Sequence, residues 1–294
     1  VQSALALAAG ACDYVLVWRA MHHAKSPPKS PGGPATIGGN AAFGAPYGCA
    51  SALQWHALAY RRYLESYRLA REKMAALVVA SRRHATLNPD AYFRAKPLGA
   101  DDYANARMVA DPLCLLDCDI PVQGCVALVM TTAERARDAR HRPAYLAGFA
   151  LNATPRPPVL DYPLLDPYET GRVTADQLWA SAGLGPADIG AAMLYDGFSP
   201  SVLYWLEAAG FCGRGEALDF IQDGRIELDG ELPMNTFGGS LGTGRIHGLW
   251  HIIEGALQAS GRAGSRQVKD VDVSFVGASA PIVTGTTFLF PREP

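Results

Sequence analysis

The sequence predicts a layered α/β fold made of two similar halves. Short apolar segments of strand type alternate with helical segments along most of the 294 residues. With 49% hydrophobic and 18% charged residues, the chain can bury a substantial core. This alternation is typical of sheets with both faces covered by helices. The pattern restarts near Arg142-Pro143, so we divide the chain into an N-terminal half, 1–142, and a C-terminal half, 143–294.

The first half opens with a predicted helix at 1–9 and an apolar strand at 14–18. Since no cap or strand precedes this helix, we expect the chain as given to lack an N-terminal part of an α/β domain. Residues from about 20 to 120 interrupt the alternation and are predicted to form a loop-rich insertion subdomain. Within it, 25–48 is dense in proline, glycine and serine, and 50–67 has helical periodicity.

The remaining elements follow the same alternation of short strands and helices. We predict a helix or strand at 73–80, strands at 124–132, 145–149, 191–195, 272–276 and 286–290, and helices at 133–140, 177–184, 201–209 and 249–259.

Composition excludes several classes of function. The net charge of −2 and the isoelectric point near 6.4 disfavour nucleic acid as a partner. No apolar run approaches the roughly 20 residues that a membrane-spanning helix needs. Six cysteines are too few for a disulfide scaffold, which indicates a reducing cytoplasm. Cys114, Cys118 and Cys125 lack the C-x2-C spacing common in zinc sites, so no metal is predicted.

A glycine-rich segment, NTFGGSLGTGRIHG at 235–248, precedes the apolar helix predicted at 249–259. Unpaired N–H groups at a helix N-terminus favour negative charge, so an anion or a developing oxyanion could bind there. The segment matches neither the P-loop nor the dinucleotide-binding pattern. A glycine-rich turn that serves only tight packing is the alternative.

Four blocks of the sequence carry a resemblance to a known family. The run from Asn235 through Gly238, Gly239 and Gly244 resembles the N-x-x-G-G-x-x-x-x-G-H-P-x-G segment of thiolases. Tyr195-Asp196-Gly197-Phe198 resembles the H-D-x-F segment of the sterol carrier protein X type. Residues 83–89 and 211–217 are similar to blocks of the same lipid-transfer-protein-like branch. The resemblance covers essentially the whole chain and implies the thiolase-like arrangement, with helices between and outside two mixed sheets. It also implies that Asn235, Gly238, Gly239 and Gly244 bind the substrate or its oxyanion.

The departures from the thiolase pattern concern the reacting residues. Tyr195 stands where thiolases have the histidine of H-D-x-F, Arg245 replaces the histidine of G-H-P, and 276–281 contains no cysteine. The Y-D-x-F pattern and the Ile246-His247-Gly248 ending are shared with steroid side-chain aldolases, which carry a tyrosine at the position of Arg245. The resemblance therefore implies retro-aldol cleavage of a bulky β-hydroxyacyl-CoA, such as a steroid side chain. No cofactor is expected beyond the coenzyme A of the substrate.

Roles for the three candidate catalytic residues follow from this chemistry. Tyr195 is expected to remove the hydroxyl proton, with its pKa lowered by Arg245. His247 and backbone N–H groups are expected to hold the enolate oxygen. The alternatives are a core role for Tyr195, and for Arg245 an ion pair with Asp196 or a contact to coenzyme A phosphate. Asp196 is expected to be structural.

Two other functions stay open at this point. The protein could be a thiolase or acetyl-CoA acyltransferase whose nucleophilic cysteine lies upstream of Val1, or a non-catalytic subunit that binds lipid or acyl-CoA. Cys49, at a predicted helix start, superficially resembles the thiolase nucleophile but follows the loop-rich stretch, which disfavours that role. The resemblance further implies a homodimer joined edge to edge through its sheets, and a small OB-fold, zinc-ribbon partner protein.

Overall fold

A computed structural model of the chain describes residues 1–22, 44–49, 51–153, 167–281 and 284–293. The first half contains α1 (Gln2–Ala8), β1 (Tyr14–Met21), α2 (Ala52–Tyr67), α3 (Ala75–Thr86), α4 (Ala100–Ala104), β2 (Met108–Ala110), β3 (Leu113–Cys114), β4 (Gly124–Thr131) and α5 (Ala133–Ala136). The second half contains β5 (Gly148–Ala153), α6 (Pro167–Ala182), β6 (Ala191–Leu194), α7 (Pro200–Ala208), α8 (Ala217–Phe220), α9 (Gly239–Gly242), α10 (Leu249–Ala259), β7 (Val273–Gly277) and β8 (Thr284–Pro291).

The second half is organised around a mixed sheet with strand order β5-β8-β7-β6. β6 and β7 are parallel, with Ala191 opposite Ser274, and the other two pairs are antiparallel. Side chains of β7 alternate between two cores: Phe275 packs with helices α6 and α7, and Val276 packs with α10. Both faces of the sheet are therefore covered, as the sequence predicts.

The first half contributes an antiparallel pair, β1 and β4, whose register places Tyr14 opposite Thr131 and Met21 opposite Gly124. One face of this pair, which includes Val17 and Val126, packs against α10 and the loop before it. α10 thus lies between the two sheets, and the layered α/β arrangement is confirmed. The other face leaves Tyr14, Leu16, Trp18 and Val129 each about 60% or more exposed.

The structure corrects three predicted boundaries and decides one open alternative, since the segment predicted as a helix or strand at 73–80 is a helix, α3. β5 begins at Gly148 rather than at 145, and α5 ends at Ala136 rather than at 140. α6 begins ten residues before the predicted start at 177. Glycine disfavours a helix interior, but Gly171 is needed here because a Cβ on it would lie 2.7 Å from the Cβ of Ala208 in α7. Close approach of two helices outweighs the helix propensity at this position.

Two further expectations meet only part of the chain. The predicted loop at 25–48 lies outside the described residues except for 44–48, where Ala45–Tyr47 forms a single 3₁₀ turn. Among the residues that the structure describes, no helix is long and apolar enough to cross a membrane. The division of the chain near residue 142 stays a prediction.

Candidate active site

Tyr195 lies immediately after β6, at the carboxyl end of the parallel pair β6–β7. Its backbone N–H donates to the carbonyl of Gly277 at 2.8 Å, which extends the strand pairing by one residue. The phenol then folds back over Gly197, because a Cβ built on Gly197 would lie 2.6 Å from the Tyr195 hydroxyl oxygen. Gly197 therefore leaves the space that the hydroxyl occupies.

Asp119, which belongs to none of the sequence motifs, lies beside this tyrosine. Its backbone N–H donates to the Gly197 carbonyl at 3.1 Å, and the Arg245 N–H donates to the carbonyl of Ile120 at 2.9 Å. Single bridge pairs join Cys118 to Phe198 and Pro121 to Arg245. The segment 118–121 is thus held between the two segments that carry Tyr195 and Arg245.

Arg245 forms an ion pair with Asp119. Its Nη1 lies 3.1 Å from Asp119 Oδ1, and the two side chains are 29% and 4% exposed. The sequence left a pair between Arg245 and Asp196 open, and the structure shows Asp119 as the partner instead. Burial raises the pKa of Asp119 to about 7, although Arg245 opposes the rise and Asp196 adds to it. Asp119 therefore changes charge near neutral pH.

Tyr195 keeps its proton in this setting. Burial raises its pKa well above the ordinary value, and the negative charges of Asp119 and Asp196 add to the rise. Arg245 and Arg19 lower the pKa, but they do not outweigh the other contributions. The predicted lowering of the Tyr195 pKa by Arg245 is therefore wrong in its net direction. Tyr195 is a hydroxyl donor at neutral pH.

His247 lies on the exposed side of the same cluster. Its backbone is left-handed, with φ of 48°. The Arg19 guanidinium, carried by β1, contacts its Nδ1, and because arginine can only donate, Nδ1 is the acceptor in that contact. The structure thus brings the three predicted catalytic residues, Tyr195, Arg245 and His247, to one region, together with Arg19 and Asp119.

Within the glycine-rich segment, a carboxylate of the protein itself occupies the N-terminus of the short helix α9. Anion binding at the N-terminus of α10, the helix predicted at 249–259, stays a prediction. The first N–H groups of α9, those of Ser240 and Leu241, donate to the Asp196 carboxylate at 2.6 and 3.2 Å. Asp196 also pairs with His251 Nε2 at 3.0 Å, and its side chain is fully buried. The anion at this helix start is the protein's own carboxylate, which agrees with the structural role expected for Asp196.

The four residues predicted to bind the substrate or its oxyanion make internal contacts. The Asn235 amide bonds both the N–H and the carbonyl of Leu194 at 2.8 Å. A Cβ on Gly238, Gly239 or Gly244 would collide with Ala85, Asp196 or Val122, and all three glycines have positive φ. These contacts are those of the packing alternative, and substrate binding by these residues stays a prediction.

The cysteine nearest to this cluster is poorly suited to nucleophilic attack. Cys118 directly precedes Asp119, and burial together with the carboxylates of Asp117 and Asp119 raises its thiol pKa to about 12. A thiol attacks as its thiolate, so Cys118 is almost wholly in the unreactive form at neutral pH. Within the described ranges, no group of three or more His, Cys, Asp or Glu side chains is arranged to hold a metal ion.

Comparison with known proteins identifies relatives of the chain by sequence and by structure. A family model of the thiolase C-terminal domain-like type matches residues 165–289. The chain is 40% identical over 268 residues to 17-hydroxy-3-oxo-4-pregnene-20-carboxyl-CoA lyase of Mycobacterium tuberculosis, covering 88% of this chain and 69% of that protein. It is also 40% identical over 252 residues to the steroid side-chain-cleaving aldolase of Thermomonospora curvata, covering 83% of this chain and 63% of that protein.

A solved structure described as an Ltp2-ChsH2(DUF35) aldolase superposes with a TM-score of 0.85 at 36% identity, covering all of this chain and 76% of that one. The elements in which the sequence resembles thiolases are the ones that assemble the cluster of Tyr195, Arg245 and His247. The chain belongs to the thiolase superfamily, in the branch that contains the steroid side-chain-cleaving aldolases.

Proposed function

We propose that the protein is a carbon–carbon lyase that cleaves a bulky β-hydroxyacyl-CoA, such as a steroid side-chain thioester, by a retro-aldol reaction. The observation that carries the proposal is the protonated Tyr195 hydroxyl beside the ion pair between buried Asp119 and partly exposed Arg245. These groups can exchange a proton and stabilise an enolate, whereas the adjacent Cys118 is held as a thiol. The names of two relatives, each 40% identical to this chain, describe a CoA-thioester lyase and a side-chain-cleaving aldolase.

The reaction requires no covalent bond between the substrate and the protein. A proton leaves the β-hydroxyl, the bond between the α- and β-carbons breaks, and a ketone departs. The electron pair of that bond becomes an enolate on the thioester, which is then protonated at the α-carbon. Tyr195 can donate a hydrogen bond to the enolate oxygen, and the guanidinium groups of Arg245 and Arg19 favour negative charge at this place.

The test uses the native protein together with any subunit that co-purifies with it. Incubation with 17-hydroxy-3-oxo-4-pregnene-20-carboxyl-CoA, or with a simpler tertiary β-hydroxyacyl-CoA, should release one ketone and one shorter acyl-CoA per substrate without an added cofactor. Absence of ketone from both compounds would contradict the proposal. Acetyl transfer from a 3-ketoacyl-CoA to free coenzyme A, without cleavage of either compound, would identify an acyltransferase instead.

A homodimer and a partner protein belong to the same proposal. The outer edge of β1 pairs with no other strand among the described residues, and the apolar face with Tyr14, Leu16, Trp18 and Val129 is exposed. The similar solved aldolase is described as containing a DUF35 protein, ChsH2, which supports a small OB-fold, zinc-ribbon partner. Light scattering of the purified protein tests both features, and a monomer that is active alone would contradict them.

The six cysteines, all in described segments, form no disulfide, which supports a cytoplasmic location.

A further inference from the structure

We propose that Asp119 is the proton acceptor for the substrate hydroxyl, and that Tyr195 stays protonated and serves as the donor to the enolate oxygen. This assignment rests on the retro-aldol function proposed above. It reverses the role that the sequence motif assigns to Tyr195, and it adds a residue that none of the motifs contains.

Asp119 and Tyr195 both contact Gly197. The backbone N–H of Asp119 donates a hydrogen bond to the Gly197 carbonyl, and the Tyr195 hydroxyl lies where a Cβ on Gly197 would be. A hydroxyl group and a thioester carbonyl lie close together in a β-hydroxyacyl thioester. Asp119 as proton acceptor and Tyr195 as hydrogen-bond donor lie at one glycine, so they can reach these two substrate groups together.

The two carboxylate oxygens of Asp119 have different surroundings. Arg245 Nη1 donates to Oδ1, whereas Oδ2 accepts no hydrogen bond from any residue that the structure describes. Oδ2 is not among the fully buried unpaired atoms of the described residues, so it keeps some contact with solvent although the side chain as a whole is only 4% exposed. Oδ2 therefore offers a lone pair that a substrate hydroxyl can use, while Arg245 fixes the orientation of the group.

The acidity of Asp119 suits a general base. A general base is most effective when its pKa lies near the working pH, and the pKa of Asp119 is raised to about 7. Arg245 lowers the Asp119 pKa and Asp196 raises it. The neighbouring thiol of Cys118 and phenol of Tyr195 are both neutral at this pH. Tyr195 holds its proton too strongly to act as the base in place of Asp119.

The resulting steps balance without another reactant. Asp119 Oδ2 takes the proton of the β-hydroxyl, the hydroxyl oxygen forms the carbonyl of the ketone, and the α–β bond breaks. Its electron pair becomes the enolate, whose oxygen accepts a hydrogen bond from Tyr195. The α-carbon then takes the proton back from the carboxylic acid of Asp119. The site returns to its starting protonation, and no proton is consumed.

The test compares the wild type with Asp119→Asn. The variant should lose about 100-fold or more in kcat with little change in KM, which is the usual contribution of a general base. The wild type should show an acid limb with an apparent pKa near 7 in its pH–rate profile, and the variant should lose that limb. Tyr195→Phe should be slower but keep the limb.

Asp176→Asn is the matched control. Asp176 accepts a hydrogen bond from Arg172 at 2.6 Å on the surface of α6, so the substitution also removes an aspartate paired with an arginine. It lies outside the cluster and should change kcat by less than a factor of two.

Chemical rescue distinguishes a base from a structural residue. Added formate or acetate should restore part of the activity of Asp119→Ala, because a small carboxylate can occupy the space and take the proton. A folded Asp119→Ala protein that shows no carboxylate-dependent activity overturns the proposal. So does a wild-type profile without an acid limb between pH 5 and 8.5, or Asp119→Asn with activity within threefold of the wild type. Inactive wild-type protein would instead contradict the retro-aldol function itself.

Discussion

Gly197 sets the position of the Tyr195 hydroxyl. The hydroxyl oxygen would lie 2.6 Å from a Cβ on this glycine, which is closer than van der Waals contact permits. The backbone of Gly197 is not in the left-handed region, so alanine costs little in conformational energy and acts through the contact alone.

Gly197→Ala should therefore displace the phenol and lower kcat at least tenfold, with a free energy of unfolding within about 1 kcal/mol of the wild type. Activity assays and urea denaturation measure the two effects. The control is Gly99→Ala, where the nearest atom to a new Cβ is 3.6 Å away. Full activity in Gly197→Ala would show that the position of the hydroxyl is unimportant.

Arg245 controls the charge of Asp119. Because its positive charge lowers the Asp119 pKa, Arg245→Met should raise that pKa further above its ordinary value. The acid limb of kcat/KM should then move to higher pH, so that activity falls at pH 7 and partly recovers near pH 9. Arg245→Lys keeps the charge and should leave the limb nearly in place. Equal limbs in the two variants would contradict the coupling.

The site was only partly predictable from the sequence. Tyr195, Arg245 and His247 occur within short motifs, so their grouping could be anticipated. Asp119 could not, because it is 126 positions from Arg245 and only the tertiary fold brings the two together. The signal available was a charged residue within DCDIP, between two apolar strands. The pKa direction of Tyr195 was also missed, since it depends on burial and on Asp119.

At the scale of elements, a buried cluster of polar side chains connects α10 to its neighbouring segments. Arg266 donates from Nε and Nη2 to the two carboxylate oxygens of Glu254, at 3.1 and 3.0 Å, and Thr236 donates to Oε1 at 2.8 Å. Gln258 joins the same cluster through Thr236 and the Arg266 carbonyl. The cluster links α10 to the start of the glycine-rich segment and to the turn before β7.

Arg266→Met should destabilise the protein by about 3 kcal/mol, because it leaves the Glu254 carboxylate buried without its cation. The Glu254 side chain is 2% exposed, which makes this charge costly to leave unpaired. Arg172→Met is the comparison at an exposed pair and should cost less than about 1 kcal/mol. Urea denaturation measures both, and similar losses would mean that burial of the pair contributes nothing.

His56 makes the packing of α2 sensitive to acid. Its ring packs at a tilt against Phe198 with a centroid distance of 4.3 Å, and its Nδ1 donates to the Ala52 carbonyl. Burial lowers its pKa to about 4. The folded state therefore binds the proton less readily than the unfolded state, whose histidine titrates near 6.5. Stability contributed by the neutral ring is present above pH 6.5 and is lost as the pH falls toward 4.

His56→Gln should remove this acid sensitivity. Between pH 7 and 4.5 the wild type should lose about 2–3 kcal/mol more than the variant, since each pKa unit corresponds to about 1.4 kcal/mol. Other titrating groups are common to both proteins and cancel in the difference. Unfolding measured in urea at the two pH values gives the result, and parallel losses would contradict the assignment.

Elements with long, regular patterns were predicted best. The helix predicted at 249–259 is observed at those bounds because its apolar periodicity is uninterrupted. The start of α6 was missed because Gly171 is unfavourable in an isolated helix and is explained only by its contact with α7. The strand predicted at 145–149 is shifted to Gly148–Ala153 by its pairing with β8, where Gly148 stands opposite Leu289.

At the scale of the whole molecule, the site is shared between the two predicted halves. Arg19 and Asp119 come from the first half, and Tyr195, Arg245 and His247 from the second. The alternation of strands and helices predicted that two sheets would be stacked with helices between them. It could not predict which loops meet across the layers, because such contacts leave no periodic trace in the sequence.

The exposed face of β1 has a spectroscopic consequence. Of the five tryptophans, all of them in described segments, Trp18 is 62% exposed, Trp205 is buried, and the other three are partly buried. The long-wavelength edge of the intrinsic fluorescence should therefore come from Trp18, and acrylamide should quench that edge first. Any molecule that binds to this face should shift the Trp18 emission to shorter wavelength and protect Trp18 from the quencher. The intrinsic fluorescence therefore reports on assembly at this face.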